Sequence, residues 1–383
     1  MRALNITALI LCVSVPAVTE GAQDRGVAGA WVYEATSVLD SVTDYLSNRI
    51  EVSGSSSHSN DRSAGHLTLA ANGVIWSRHE LGLQFSDSAS RKEDDGQKSL
   101  ALRYAMPLIG NRLELEVEES QYRGVLTEPG QQLDVSGNQS FFRFTATRSL
   151  GSVLGWDVHQ VIRHSGSDRS VYEEAEWVRD SAHQLSSIGL KCSGAEELGD
   201  GFRASTQLTA VGGMEYRSTE YAETEMQKRT QFHRLELEAL LQRQVLDWNL
   251  DLGGRYQFAP EDLPGSERIT VGGSALISGF NGQSVSSAEG GWLRLDAASP
   301  SYHMPFASRF RSSVSFSLMR GWAPLEKGDR QRFASVSAGE ISLNVSSDRF
   351  RADMTVGSLI DSDRLDVFVP SVPDVALSLH MGI

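Results

Sequence analysis

Residues 111–118 read NRLELEVE, and this short stretch indicates the fold class of the whole chain. Its apolar side chains alternate with three glutamates, and the same period of two recurs in residues 100–106, 235–241 and 246–252. Successive side chains of a β-strand point to opposite faces, so each stretch predicts a strand with one apolar face and one polar face. The pattern favours an all-β fold.

About sixteen such strands can be marked along the chain, an even number typical of outer-membrane barrels. Their predicted spans are 48–54, 65–74, 78–88, 98–107, 111–125, 139–149, 153–164, 176–193, 201–214, 230–242, 246–258, 289–298, 307–320, 332–346, 349–358 and 374–383. A soluble barrel or sandwich would turn the apolar faces inward, whereas a membrane barrel turns them toward lipid.

The spacing of turns and loops favours the membrane barrel. Tight turns at 108–111, 151–152 and 346–348 interleave with long polar stretches, which are expected to be loops on the opposite rim. These expected loops are 52–64, 89–97, 126–138, 165–176, 215–229, 259–288, 321–331 and 359–373. We therefore predict a transmembrane antiparallel β-barrel of about sixteen strands with a short N-terminal helix.

The N-terminal region has a different character. Residues 1–22 contain Arg2, a short apolar run and small residues near Ala17, as in a secretory signal peptide. Apolar side chains at helical spacing predict a helix over 30–47, within a segment 23–47 that either lies in the periplasm or plugs the barrel. The barrel domain is expected to occupy 48–383.

Charge and motif content exclude several function classes. The chain of 383 residues has a formal net charge of −14, which argues against nucleic-acid binding. Of its two cysteines, Cys12 falls in the expected signal peptide, so Cys192 would remain as a lone thiol. No zinc, phosphate-loop or dinucleotide motif is found. We expect no enzyme activity, no cofactor and no metal site.

A longer stretch, LPGSERITVGGSALISGFNGQSVSSAEGGWLRLD at 263–296, carries a specific motif. It resembles the sixth extracellular loop and following strand of the two-partner secretion transporters, the haemolysin secretion/activation family. The residues 104–126, YAMPLIGNRLELEVEESQYRGVL, are similar to a hairpin of the same family. The matching loop residues, expected to line or gate the lumen, are Gly272, Gly273, Ile277, Ser278, Gly279, Phe280, Glu289, Gly291 and Trp292.

The resemblance implies a barrel of sixteen strands that passes an unfolded exoprotein across the outer membrane of a Gram-negative bacterium, without a cofactor. Implied partners are outer-membrane lipid, a secreted exoprotein substrate and the outer-membrane barrel assembly machinery. The alternative is a passive solute pore or a structural barrel that has lost export.

Two departures from the family pattern keep that alternative open. Only about 25 residues separate the expected signal peptide from the first strand, too few for the periplasmic POTRA domains, since typical domains start near 50 residues. In addition, Ser278 stands where the family has a tip arginine that pairs with an acidic residue on the barrel wall. Ser315 and Ser317 are the candidate wall partners here, so we expect that ion pair to be replaced by at most a weak hydrogen bond.

Replacing Ser278 by alanine is therefore expected to leave barrel assembly and stability unchanged. A hydroxyl hydrogen bond contributes only about 1 kcal/mol, and its loss at this position should be small. Heat-modifiability on semi-native gels measures the folded fraction directly. A clear loss of folded barrel in Ser278→Ala would contradict the expectation.

Overall fold

The computed structural model describes residues 50–382, apart from 59–61, 74–77, 91–94, 129–130, 175, 222–224, 261, 305–306, 326–332, 348–349, 366 and 368. The expected signal peptide, the expected helix at 30–47 and Ile383 lie outside the described residues. The strands are β1 (Ile50–His58), β2 (Arg62–Asn72), β3 (Glu80–Ser90), β4 (Gly96–Leu108), β5 (Asn111–Glu128), β6 (Gln131–Val153), β7 (Trp156–Glu173), β8 (Glu176–Gly199), β9 (Phe202–Tyr221), β10 (Glu225–Val245), β11 (Trp248–Phe258), β12 (Ile269–Gly273), β13 (Ser284–Ser287), β14 (Gly290–Ala298), β15 (Tyr302–Met304), β16 (Ala307–Pro324), β17 (Phe333–Ser346), β18 (Phe350–Asp363) and β19 (Asp374–Gly382).

Antiparallel pairing closes the main sheet into a barrel. Strands β1 to β11 pair in chain order, β11 pairs with β14, β14 with β16, and β16 to β19 continue until β19 pairs with β1. The three-residue β15 pairs only with β16, so sixteen strands form the wall. The predicted antiparallel β-barrel of about sixteen strands is confirmed, while the hairpin β12–β13 forms a separate two-stranded sheet. Among the described residues, no helix is both long and apolar enough to cross a membrane.

The two faces of the wall differ as the alternation predicts. Leu115 and Val117 are 44% and 41% exposed, whereas Glu116 on the other face accepts a hydrogen bond of 2.9 Å from Arg143. Similar exposed apolar pairs encircle the barrel, and a soluble protein would not present so continuous an apolar surface. They include Leu67, Leu69, Leu83, Phe85, Leu100, Leu102, Phe142, Phe144, Ile188, Leu190, Leu235, Leu237, Leu293, Leu295, Phe316, Leu318, Ile341, Leu343, Leu377 and Leu379. The apolar face therefore points outward to lipid, and the polar face points into the lumen.

Two-residue turns connect four of the hairpins on one rim of the barrel. These turns lie at 109–110, 154–155, 200–201 and 246–247, where both residues have positive φ values. Such mirror-image turns match the right-handed twist of the flanking strands. We call this edge the turn rim and the opposite edge the loop rim.

The prediction of long loops at the loop rim is wrong for several stretches, which form strands instead. Residues 126–138, 165–176 and 215–229 are mostly strand, and Glu225 pairs with Glu220 near the end of the β9–β10 hairpin. Much of 52–64 and 89–97 is likewise paired. These stretches lack apolar alternation because they extend beyond the outward-facing apolar belt, yet their backbones continue to pair. The wall therefore rises highest at β6 to β10, with strands of 18 to 24 residues.

Candidate functional site: a loop hairpin on the inner barrel wall

The chain between β11 and β14 folds onto the inner face of the barrel wall. Val271 in strand β12 and Phe280 in the turn between β12 and β13 have no exposed surface. Phe280 belongs to the same buried cluster as Met319 of β16, whose neighbour Leu318 points the other way and is 55% exposed to lipid. Since the two faces of a strand alternate, the loop hairpin lies on the lumen side.

The tip of the hairpin contributes to an apolar cluster within an otherwise polar lumen. Ile277 and Phe280 pack with Met319 and with buried residues of β17 and β18. These wall residues are Val336, Ala338 and Leu359. Each fully buried large side chain contributes on the order of 1.5–3 kcal/mol, so this contact favours the docked position.

Backbone N–H groups at the tip donate to two carboxylates of the wall. The N–H of Ser278 donates to Glu340 Oε2 of β17 at 2.7 Å. The N–H groups of Gly279 and Asn281 donate to Asp374 Oδ2 at the start of β19, at 3.0 and 2.7 Å. Hydrogen bonds to an ionised acceptor are stronger than neutral ones, so these three bonds fix the tip against β17–β19. We call these three bonds the tip anchor.

A guanidinium group does lie at the hairpin tip, but it belongs to an arginine of the barrel wall and not to the loop. Arg294 of β14 donates to Glu340 Oε1 at 2.9 Å and to Asp296 Oδ1 at 2.8 Å. Its Nη1 also donates to the carbonyl oxygen of Leu276 in the loop. Glu340 thus links a wall arginine and a loop N–H, which couples the hairpin to two separate strands.

The expected pairing of Ser278 with wall hydroxyls is wrong. Ser317 instead donates to Asp296 Oδ1 at 2.5 Å and accepts from Arg294 at 3.1 Å. Neither Ser315 nor Ser317 hydrogen-bonds to Ser278 among the described residues. The physical reason is that the tip uses its backbone, which meets β17 and β19 rather than β16.

Glycines of the wall make room for the hairpin. A Cβ at Gly357 would stand 2.5 Å from Ser278, and one at Gly321 would overlap the carbonyl oxygen of Val271. At the tip itself, Gly279 has φ +113 and would bring a Cβ 2.5 Å from the backbone of Ser358. Backbone therefore packs directly on backbone here, which only glycine permits.

The base of the loop is anchored to a second part of the wall. Glu267, in a short 3-10 turn at Gly265–Glu267, is 4% exposed and accepts from Arg234 Nε at 2.9 Å. Arg163 of β7 approaches the same carboxylate at 3.4 Å. Gln257 Nε2 donates to the carbonyl oxygens of Glu267 and Ala288, each at 3.0 Å. The loop is therefore held at β7–β11 as well as at β16–β19.

The remaining predicted residues lie around the same loop. Gly272 and Gly273 belong to β12, where Gly272 approaches Val336 closely. Glu289 accepts from the hydroxyl of Tyr256 at 3.0 Å, and Gly291 of β14 pairs with Tyr256 of β11. Trp292 packs against the apolar cluster at the tip. The structure thus brings every predicted loop residue to one assembly.

Several charged residues of the site were not singled out from the sequence, among them Glu267, Arg294, Glu340 and Asp374. For Arg294, Glu340 and Asp374 the signal available was a charged residue inside a predicted strand, whereas Glu267 lies in the expected loop 259–288. That signal is shared by many lumen-facing positions, and only the pairing register shows which of them meet the loop.

Comparison with known proteins indicates the same family that the loop motif resembles. The family model of the haemolysin secretion/activation proteins ShlB/FhaC/HecB matches residues 41–339. The outer membrane transporter CdiB of Escherichia coli O6:K15:H31 (strain 536 / UPEC) is 27% identical over 128 residues, which cover 33% of this chain and 21% of that protein. CdiB of Dickeya dadantii (strain 3937) is 24% identical over 271 residues, covering 68% and 47%.

A solved structure supports the same fold. The structure of CdiB from Escherichia coli superposes with a TM-score of 0.66 at 16% identity, covering 86% of this chain and 62% of that chain. The chain therefore spans less than two thirds of the length of these relatives.

Replacing Gly321 by alanine is expected to push the hairpin off the wall while the barrel still inserts. The new methyl group would overlap Val271, whereas β16 keeps its backbone pairing. We expect a several-fold rise in single-channel conductance in planar bilayers.

Gly82→Ala is the matched control, because its Cβ would meet its nearest neighbour at 3.8 Å, an ordinary contact. Equal conductance in wild type and Gly321→Ala would mean that the hairpin does not limit the open lumen.

Proposed function

Because the chain belongs to the haemolysin secretion/activation protein family ShlB/FhaC/HecB, we propose that it passes an unfolded secreted polypeptide through its barrel. The single observation that carries the proposal is the loop hairpin, held inside the barrel by the tip anchor at one end and by Glu267 at the other.

Location and orientation follow from the barrel. The protein resides in the outer membrane of a Gram-negative bacterium, with its apolar belt in contact with lipid. Outer-membrane barrels have short turns on the periplasmic side, so the turn rim faces the periplasm and the tall loop rim faces the exterior. Insertion by the outer-membrane barrel assembly machinery is part of the proposal.

The wall away from the hairpin suits a polypeptide of mixed charge. On β3–β6, Arg112 contacts Glu80 at 2.6 Å, Arg103 contacts Glu114 at 3.2 Å, and Arg143 contacts Glu116 at 2.9 Å. Both signs of charge thus line this side in pairs. Such a surface stays hydrated and offers no large field of one sign, so it would neither trap nor repel an extended chain.

The substrate is proposed to be a single large exoprotein. Family membership supports this, since the matched relatives are outer membrane transporters. The alternative, a passive solute pore or structural barrel, predicts that no polypeptide ever enters the lumen.

A photo-crosslinking amino acid at Ala275 tests the proposal in the native host. Ala275 is exposed at the hairpin turn, whereas Ser278 packs against Gly357 and would not tolerate a bulky side chain. We expect one large polypeptide to be trapped, and the same polypeptide should vanish from the medium when the barrel gene is deleted.

The matched control places the same amino acid at Ile341, which is 54% exposed on the lipid face. It should trap no exported chain. If Ala275 captures only the barrel itself while the medium is unchanged by deletion, the protein is not an exporter and the passive pore becomes the better account.

A further inference from the structure

The part of β10 nearest the loop rim has one unpaired side. Residues 225–243 pair with β9 without a register shift, whereas the pairing of β10 with β11 begins only at Leu235, opposite Phe258. Among the described residues, 225–232 therefore have a paired strand on one side and none on the other. At about 3.4 Å per residue these eight residues span roughly 27 Å. We call residues 225–232 the open edge.

The turn that joins β10 to β11 shows which backbone groups face the open edge. In a two-residue hairpin the residues that flank the turn form a hydrogen-bonded pair, and such pairs recur at every second residue. The turn at 246–247 places Val245 opposite Trp248, so the odd-numbered residues of β10 direct their N–H and C=O groups toward β11. Beyond the end of β11, the groups that point to the open edge belong to Glu225, Gln227, Arg229 and Gln231.

The open edge lacks the usual protection against strand addition. Proteins protect sheet edges with prolines, bulges or short strands, but residues 225–232 contain no proline and keep a continuous register with β9. They do carry two neighbouring bases, Lys228 and Arg229. Two copies of this edge paired antiparallel would bring four basic side chains close together, which is unfavourable. The open edge is therefore suited to a strand of different composition and not to a second barrel.

The lower end of the open edge lies beside the base of the loop hairpin. Arg234 donates to Glu267 at 2.9 Å, and Phe232 belongs to a buried cluster with Leu263. These contacts are on the lumen side of β10, since Leu235 on the opposite face is 43% exposed to lipid. A polypeptide that leaves the lumen past the hairpin base would thus meet the open edge at the loop rim.

We propose that an extended segment of the exported polypeptide adds to the open edge as an extra strand when it leaves the barrel. Main-chain hydrogen bonds hold the segment, so binding requires strand-forming residues and not one particular sequence. Neutral or acidic side chains fit beside Lys228 and Arg229. The inference rests on the proposed export and deepens it, because it names where the substrate is held outside the lumen and in which conformation.

A photo-crosslinking amino acid at Lys228 tests the proposal in the native host. Lys228 is exposed and lies between two residues that face the open edge. We expect it to trap the exported polypeptide. In the same chain, Gln227→Pro together with Gln231→Pro should reduce trapping at least fivefold, because proline removes the edge N–H groups and its ring blocks pairing. An edge strand tolerates proline where the N–H faces away from its partner, so the barrel should still fold.

The matched control is Gln227→Ala together with Gln231→Ala, which removes the same side chains but keeps the N–H groups. Its trapping at Lys228 should equal that of the chain with both glutamines. The crosslinking amino acid at Ala275 should trap the polypeptide in the proline and alanine chains alike, and semi-native gels measure the folded fraction of each. Should the double proline chain fail to fold, Gln227→Pro alone, near the end of the strand, is compared with Gln227→Ala.

The outcomes separate this inference from the proposed export. Trapping at Ala275 without trapping at Lys228 would leave export standing and overturn the open edge as the exit contact. Equal trapping at Lys228 in the proline and alanine chains, or capture of a second barrel there, would overturn it as well. No trapping at either position in otherwise wild-type chains would overturn the export and this inference together.

Discussion

A chain that crosses a bilayer as strands must pair every backbone N–H and C=O group, and only a closed sheet does so. Here closure depends on the antiparallel contact between β1 and β19, which spans eight residue pairs. Closure also separates two environments. The outer face has to be apolar, whereas the inner face is free to carry charge, and every contact of the loop hairpin depends on that freedom.

Charged groups on the inner face then determine where the hairpin rests. Glu340 and Asp374 accept backbone N–H groups, and Glu267 at the loop base meets Arg234. Hydrogen bonds to charged groups contribute about 1.5–3 kcal/mol each, and the apolar contacts of Phe280 add to them. Because the tip binds through its backbone, the identity of the side chain at position 278 matters less than the glycine that follows it.

Much of the fold could be predicted from the sequence because the bilayer imposes a simple rule. Residues 111–118 alternate so clearly that the strand, the direction of its apolar face and its membrane location could be inferred together. The sixteen wall strands follow from repeats of that pattern. Strand lengths at the loop rim could not be predicted. Beyond the lipid the alternation stops while pairing continues, as in the outer part of β9 and β10.

The loop residues could also be anticipated, because their motif is local. Their wall partners could not, because Glu340 lies 62 residues from Ser278 and Asp374 lies 95 from Gly279. To find such a pair from the sequence, one would need to know the pairing register of five wall strands together. The resemblance to a known family pointed to Ser315 and Ser317, while the chain places the contact on β17 and β19.

Hydrogen–deuterium exchange of the purified barrel tests most directly whether the hairpin tip is anchored to the wall. The N–H groups of Ser278, Gly279 and Asn281 are all hydrogen-bonded, and that of Ile277 donates to Gly273 at 3.2 Å. Residues 277–281 should therefore exchange as slowly as the neighbouring strand β17, and Glu340→Gln should accelerate them while β17 stays protected. Exchange of 277–281 in wild type at the rate of an unstructured peptide would contradict the account.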